Sequence, residues 1–180
     1  GIVSIEFEYK YMLSLNILKD LELIPFKETY QIRQGYLPSD NFSNTIRVRS
    51  LKKDKQEKWV LTFKQKIPNT FKVIELEQEL DKSDAMILWK MCDRKLKKTR
   101  LELEHNGLLW ELDLLKNGKK IYFAQLEIEL EFGSKPPDIP DCFSKHILYK
   151  VPLTDERFSN KKLSDVDYAK KLYKNFKNGV

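Results

Sequence analysis

Cysteine is nearly absent: Cys92 and Cys142 are the only two thiols in 180 residues, far apart and without a CxxC spacing. That excludes a thiolate zinc site and a disulfide framework. Free thiols in a reducing compartment are expected, and with them a cytoplasmic location. Histidine is as scarce, and neither His105 nor His146 has a metal partner at a recognisable spacing. No apolar run reaches the roughly 18 residues of a membrane span, and no leader pattern opens the sequence, so no membrane role is expected. Tandem repeats and low-complexity tracts are also missing. The expectation is one domain over residues 1–180, with enough chain for a full core.

Charge, by contrast, is plentiful. Charged residues make up 33% of the chain beside 41% hydrophobic ones, and the formal net charge is +6. The apolar share suffices for a globular core. The positive balance admits an anionic partner (a polyphosphate, a nucleotide or a nucleic acid) without choosing among them.

The charges alternate with apolar residues at period two, which is the mark of strands. In Ile2 to Leu13, Ile5, Phe7, Tyr9 and Tyr11 point one way and Glu6, Glu8 and Lys10 the other. Strands follow at 30–37, 44–51, 59–66, 71–80, 95–104, 108–115 and 121–132. Pro38-Ser39-Asp40-Asn41, His105-Asn106-Gly107 and Asn117-Gly118 supply loop and hairpin signals. Ser14 caps a short helix, Ser83 or Asp84 caps a second through about Asp93, and a third runs from about Ser164 to Phe176. About eight mostly antiparallel strands result, a number that can close into a barrel.

Each strand carries a densely ionic face. Alternation alone fits an ordinary sheet with one wet side. The matched positions of the charges, and the helices available to cover the bulky apolar faces, favour a mainly β (α+β) fold. It would be an eight-stranded antiparallel β-barrel with a charged lumen and helices packed outside. Charges in such a lumen need partners. The acidic set Glu6, Glu8, Glu127 and Glu129, with Glu75, Glu77, Glu111 and Asp113 in reserve, suits a hard cation such as Mg²⁺ or Mn²⁺. The basic set Lys10, Arg47, Arg49, Lys64, Lys98, Arg100 and Arg157 suits a polyanion. Metal plus several phosphates satisfies both.

These residues fall in a series of short motifs. Glu6-x-Glu8-x-Lys10 resembles the ExExK signature of the CYTH superfamily, the triphosphate tunnel metalloenzymes. Gln34-Gly35-Tyr36-Leu37, Arg47-x-Arg49, Thr62-x-Lys64, Glu75-x-Glu77, Lys98-x-Arg100, Trp110-Glu111-x-Asp113 and Ala124-x-x-Glu127-x-Glu129 resemble its later strands, in order. Thr154-Asp155-Glu156-Arg157-Phe158-Ser159-Asn160 resembles its closing segment, with Phe158 for the usual Tyr. The resemblance implies an eight-stranded tunnel and a metal-dependent triphosphatase of the small triphosphatase branch. Glu6, Glu8, Glu127 and Glu129 would hold metal, and the basic set would grip phosphate. Lys10 and Tyr36, with Glu8 and Glu129, would stand at the reacting phosphate. Inorganic tripolyphosphate, thiamine triphosphate and the 5′ end of RNA are all substrates the family takes. Adenylate cyclase of class IV is disfavoured, because Val3-Ser4-Ile5 stands where a His-Phe pair is usual. Two rivals without catalysis are a polyphosphate- or nucleotide-binding module and an RNA-binding barrel. The second would need exposed aromatics among the basic residues, which the alternation does not provide.

Overall fold

The structure is a computed structural model that describes residues 1–39 and 43–178; Asp40 and Asn41 of the expected loop lie outside the described residues. Ten strands form one antiparallel sheet: β1 (Ile2–Glu6), β2 (Glu8–Leu13), β3 (Glu28–Tyr36), β4 (Asn44–Lys53), β5 (Gln56–Lys66), β6 (Val73–Leu80), β7 (Arg94–His105), β8 (Leu108–Asn117), β9 (Lys120–Glu129) and β10 (Ile147–Val151). Their order is β1-β6-β5-β4-β3-β7-β8-β9-β2-β10.

This corrects the expected eight-stranded barrel in two ways. The strand expected over 2–13 is broken at Phe7, because its first half pairs with β6 and its second half with β9. The tail also supplies β10, which pairs with β2 across a register shift between Ile147 and Tyr149. The hydrogen-bonded order is open, running from β1 to β10. Yet β1, at one edge, and β2, next to the other, are separated only by Phe7. The sheet therefore curls until its β1 edge and β2, beside the opposite edge, are one residue apart in the chain. Phe7 is buried, its carbonyl accepts from the Leu130 amide at 2.9 Å, and its ring makes edge contacts with Tyr9 and Phe132.

The hairpins form where the sequence allows positive φ. Asn106 and Gly107 turn β7 into β8 at φ 52° and 74°, the pair of left-handed residues a tight hairpin turn requires. The β4–β5 turn has Asp54 at φ 54°.

The outward face of the sheet is apolar and is covered in patches. Around residues 13–24, Ser14 Oγ caps a 3-10 turn (Leu15–Lys19) by accepting from the Asn16 amide. This segment, with α2 (Asp141–Ser144), packs Ile17 and Phe143 over Leu13, Trp110, Leu112 and Leu126. Helix α1 (Lys82–Met91) packs Ala85 over Val48 and Trp59, its N-cap being Asp81 rather than Ser83 or Asp84. Gly35 on β3 makes room for the chain leaving α1: a Cβ there would stand 2.8 Å from Cys92 Sγ.

One apolar cluster was not expected. Cross-strand partners share a face, so Leu115, opposite Lys98, and Phe123, opposite Leu115, lie on the ionic side of the sheet. Met12, Leu96, Leu115 and Phe123 pack there against Phe158, against Leu163 of α3 (Asn160–Leu163) and against Leu172 of α4 (Val166–Lys177). The ionic face thus ends at an apolar floor formed by the C-terminal segment. The outward face of β1 and β6, with Val3, Ile5, Ile74 and Leu76, stays exposed. Among the described residues no helix is long and apolar enough to cross a membrane.

Leu126 is fully buried whereas Val3 is 69% exposed. Leu126→Ala is expected to cost about 2–5 kcal/mol of unfolding free energy by denaturant titration, against about 0.5 or less for Val3→Ala. Equal costs would contradict the assignment of covered and open faces.

Candidate functional site

The inner face lines a cavity of about 680 Å³, within the usual range for small-ligand sites. Its residues come two apart along each strand, because alternate side chains share a face. From β3 and β4 come Tyr36, Arg47 and Arg49; from β7, Lys98 and Arg100. From β1, β2 and β9 come Glu6, Glu8, Lys10, Glu127 and Glu129; from β5, β6 and β8 come Lys64, Glu75, Glu77 and Glu111. A second cavity shares Arg47, Arg49, Glu77, Arg100 and Glu111 with the first and runs on toward Lys53, Lys58 and Glu79.

The two walls differ in sign. On the basic wall, Lys98 is 2% exposed and its ammonium donates to Asp113 Oδ2 at 2.7 Å and to Asn160 Oδ1 at 3.0 Å. Arg100 donates to both Asp113 oxygens, at 2.8 and 2.9 Å, and pairs with Glu111 at 3.2 Å. Burial opposes ionisation of Asp113, but Arg100 and Lys98 outweigh it and hold the carboxyl well below the usual range. Burial, with Arg100 and Arg49 nearby, brings Lys98 down to about 7 despite Asp113.

Arg47 and Arg49 have no such partner. Arg47 is 8% exposed; it donates one terminal nitrogen to Thr62 Oγ1 at 3.2 Å, and its Nε is buried with no bond. Arg49 donates Nε to Gln34 Oε1 at 3.0 Å. Among the described residues neither guanidinium has a carboxylate partner. Burial, then the charges of Arg47 and Arg100, pull Arg49 down to about 9. Two guanidiniums held together without an anion leave an uncompensated charge of a kind that costs several kcal/mol, order of magnitude, until an anion arrives.

The acidic wall carries the opposite excess. Burial first, then Glu127 and Glu6, raise Glu8 well above the usual carboxylate range. Burial, then Glu6 and Glu75, also push the Glu129 carboxyl upward. Two lysines stand among these carboxylates. Lys64 Nζ lies 2.7 Å from Glu6 and 3.5 Å from Glu75, and Lys10 Nζ lies 3.5 Å from Glu8. Burial opposes the charge of Lys10, but Glu8, Glu127 and Glu6 outweigh it and raise its pKa, so it keeps its proton.

The donor chemistry of Glu6, Glu8, Glu127 and Glu129 fits a hard divalent cation: the donors are all oxygen, crowded, and repelling one another. They are not drawn into a coordination shell, since among the described residues no three acidic, His or Cys groups stand in ligating geometry. Glu6 is held by Lys64, and Glu127 Oε1 accepts from Gln125 Nε2 at 2.8 Å.

Two expected site residues are placed differently. Arg157 does not line the cavity. Asp155, two residues earlier, takes its guanidinium at 2.8 to 3.3 Å, and the rings of Tyr149, Phe158 and Phe176 shelve it on the outside. Asp113, a reserve metal ligand in the sequence, has both oxygens taken by Lys98 and Arg100. Conversely Gln34, Gln125 and Asn160 bond directly to site residues and had been assigned no role. A neutral amide gives no charge pattern to read, and only the pairing of strands shows what it touches.

No protein-family model matches the chain, and no curated protein does. Solved structures do. The inorganic triphosphatase NE1496 aligns at 24% identity over 88% of this chain and 93% of its own, with a TM-score of 0.52. PH1012 from Pyrococcus horikoshii OT3 aligns at 23% identity over 72% of this chain and 80% of its own, at 0.54. A candidate adenylate cyclase from Bacillus halodurans aligns at 21% identity over 72% and 82%, at 0.55. The chain shares the fold of these proteins.

Glu111 offers a check on the charge balance. Burial raises its carboxyl to about 7, Arg100 only partly opposing the shift. An acid whose pKa is raised on folding binds its proton more tightly in the folded chain. Stability therefore falls as pH rises from the unfolded value of about 4.5 to about 7. Glu111→Gln removes that loss. The stability of the variant relative to the parent is expected to rise by about 1–2 kcal/mol between about pH 5 and about pH 8, read from thermal unfolding without ligand. A difference that does not change with pH would contradict the assignment.

Proposed function

We propose that this chain is a divalent-metal-dependent triphosphatase of the triphosphate tunnel type. It would cleave inorganic tripolyphosphate or a related triphosphate to the diphosphate, or nucleoside diphosphate, and orthophosphate. The observation that carries the proposal is the pair Arg47, buried, and Arg49, partly buried, at the cavity wall, neither with a carboxylate partner among the described residues. Asp113 and Glu111 pair with the neighbouring Lys98 and Arg100, so the two arginines left without a carboxylate among the described residues mark where an external anion belongs. The shared fold with a protein described as an inorganic triphosphatase supports the reading. The tunnel is part of the proposal: with Phe7 as its only gap, the β1–β2 segment spans from β6 to β9 as a closing stave.

In this reading Arg47 and Arg49 fork onto phosphate oxygens, and Arg100 and Lys98, fixed by Asp113, line the chain beyond them. Lys64 and Lys10 exchange Glu6 and Glu8 for phosphate oxygens, which releases those carboxylates. Glu6, Glu8, Glu127 and Glu129 would hold Mg²⁺ or Mn²⁺. When bound, the cation supplies charge neutralisation on the phosphates and acidifies water. Lys10, fully protonated, serves as a phosphate ligand rather than a general base, and Tyr36 flanks the reacting water. Positioning and charge provide most of the rate, as is usual in phosphoryl transfer. Arg157, outside the cavity, has no part in this scheme.

The test is a hydrolysis screen of tripolyphosphate, thiamine triphosphate, ATP and 5′-triphosphate RNA with Mg²⁺ and with Mn²⁺. At least one substrate should release orthophosphate. Glu8→Gln or Glu129→Gln should lower that rate by about 100-fold or more while circular dichroism stays unchanged. If every substrate survives with both metals, the enzyme reading fails. Tight tripolyphosphate binding without turnover would then indicate a binding module, and a salt-sensitive gel shift with long RNA the RNA-binding barrel.

A further inference from the structure

We infer that Gln34 is the positioning residue that aims Arg49 and Tyr36 at the bound anion, and that its lack of charge is what leaves Arg49 unneutralised. The inference rests on the triphosphate reading and adds a residue to it.

Gln34 is fully buried near the C-terminal end of β3, directly opposite Arg49 on β4. Its amide makes two hydrogen bonds, and their directions are fixed by chemistry. Arg49 Nε can only donate, so the Gln34 oxygen must face it, at 3.0 Å. The Gln34 nitrogen then faces Tyr36 and donates to its hydroxyl at 2.8 Å. Because the Tyr36 oxygen accepts that bond, its own proton turns elsewhere, and Tyr36 lines the cavity. Anchoring Nε leaves the two terminal nitrogens of Arg49 for the ligand. The backbone beneath is held as well, since Cys92 Sγ and Trp89 crowd Gly35 between these two side chains.

The residue type matters. A carboxylate at this position would pair with Arg49 and spend the charge that the anion uses. An aliphatic side chain would leave both Arg49 Nε and the Tyr36 hydroxyl without a partner in a buried place. Only a neutral group with one acceptor and one donor satisfies both neighbours and keeps the positive charge.

The experiment measures tripolyphosphate binding by calorimetry in chelator, then KM and kcat with metal, for the parent, Gln34→Glu and Gln34→Met. Circular dichroism and thermal unfolding establish that each variant folds. Gln34→Glu is nearly isosteric, so it carries the test if Gln34→Met does not fold. It should weaken tripolyphosphate binding about tenfold or more at about pH 8, with KM rising in step. The deficit relative to the parent should persist down to about pH 5, because a carboxylate paired with Arg49 keeps its charge there. The charged and titratable groups around it are Arg49, directly opposite on β4, Arg47 beyond it, Tyr36 on its own strand, and, past Leu96 on β7, Lys98 and Arg100. Lys98, brought down to about 7 by burial, titrates in parent and variant alike. Gln34→Met should weaken binding less than Gln34→Glu does, because it leaves the charge of Arg49 in place. A folded Gln34→Glu variant that binds like the parent overturns the inference while leaving the triphosphate reading intact. A parent that binds no tripolyphosphate overturns the triphosphate reading, and the inference with it.

Discussion

Charge kept inside a curled sheet is the constraint on which the rest of this structure depends. A carboxylate or guanidinium taken out of water must find a counter-charge or remain a liability. The interior meets the requirement only in part. Asp113 satisfies Lys98 and Arg100, and Lys64 and Lys10 partly satisfy Glu6 and Glu8. Left over are two arginines on one wall and an excess of carboxylate on the other. Neither excess can cancel the other, because strand pairing fixes them on different walls. A ligand that brings phosphate to the first and a divalent cation to the second relieves both, so stability and function place opposite demands on the same residues.

The remainder of the fold supports that interior. The outer apolar face gains its burial from short helices laid over it, which leaves the inner face free to be ionic. The C-terminal segment closes the inner face with an apolar floor, and Lys98 is fixed from that side by Asn160 at the start of α3. Phe7 allows one strand to change partners, and so brings the two ends of the sheet together. Binding at the cavity is therefore coupled to elements distant in sequence, since β1, β3, β4 and the 154–163 segment all contribute to one small volume.

What could be read from the sequence divides along a physical line. Period-two alternation is written into adjacent residues, so Glu6, Glu8 and Lys10, or Arg47 and Arg49, could be put on common faces before any pairing was known. The hairpin at Asn106-Gly107 was legible for the same local reason. Pairing is not local. The break at Phe7, the register of β10 and the open hydrogen-bonded order depend on which strand lies alongside, and no pattern within a strand reveals that. Arg157 shows the same limit in a side chain. It is basic and stands in the right motif, but its neighbour Asp155 and three rings that meet it only in the folded chain take it outward. Gln34 is the converse: it stands in the motif series without charge to suggest a role, and only its place opposite Arg49 shows what it touches.

The two walls hold separate, uncompensated charges, which one ligand pair would relieve. Thermal unfolding of the parent chain measures this most directly, with tripolyphosphate alone, with Mg²⁺ alone and with both at matched ionic strength. The account predicts that each raises the unfolding temperature and that together they raise it by more than the sum, because phosphate frees the carboxylates that lysine holds. An unfolding temperature unmoved by tripolyphosphate, with or without Mg²⁺, would contradict it.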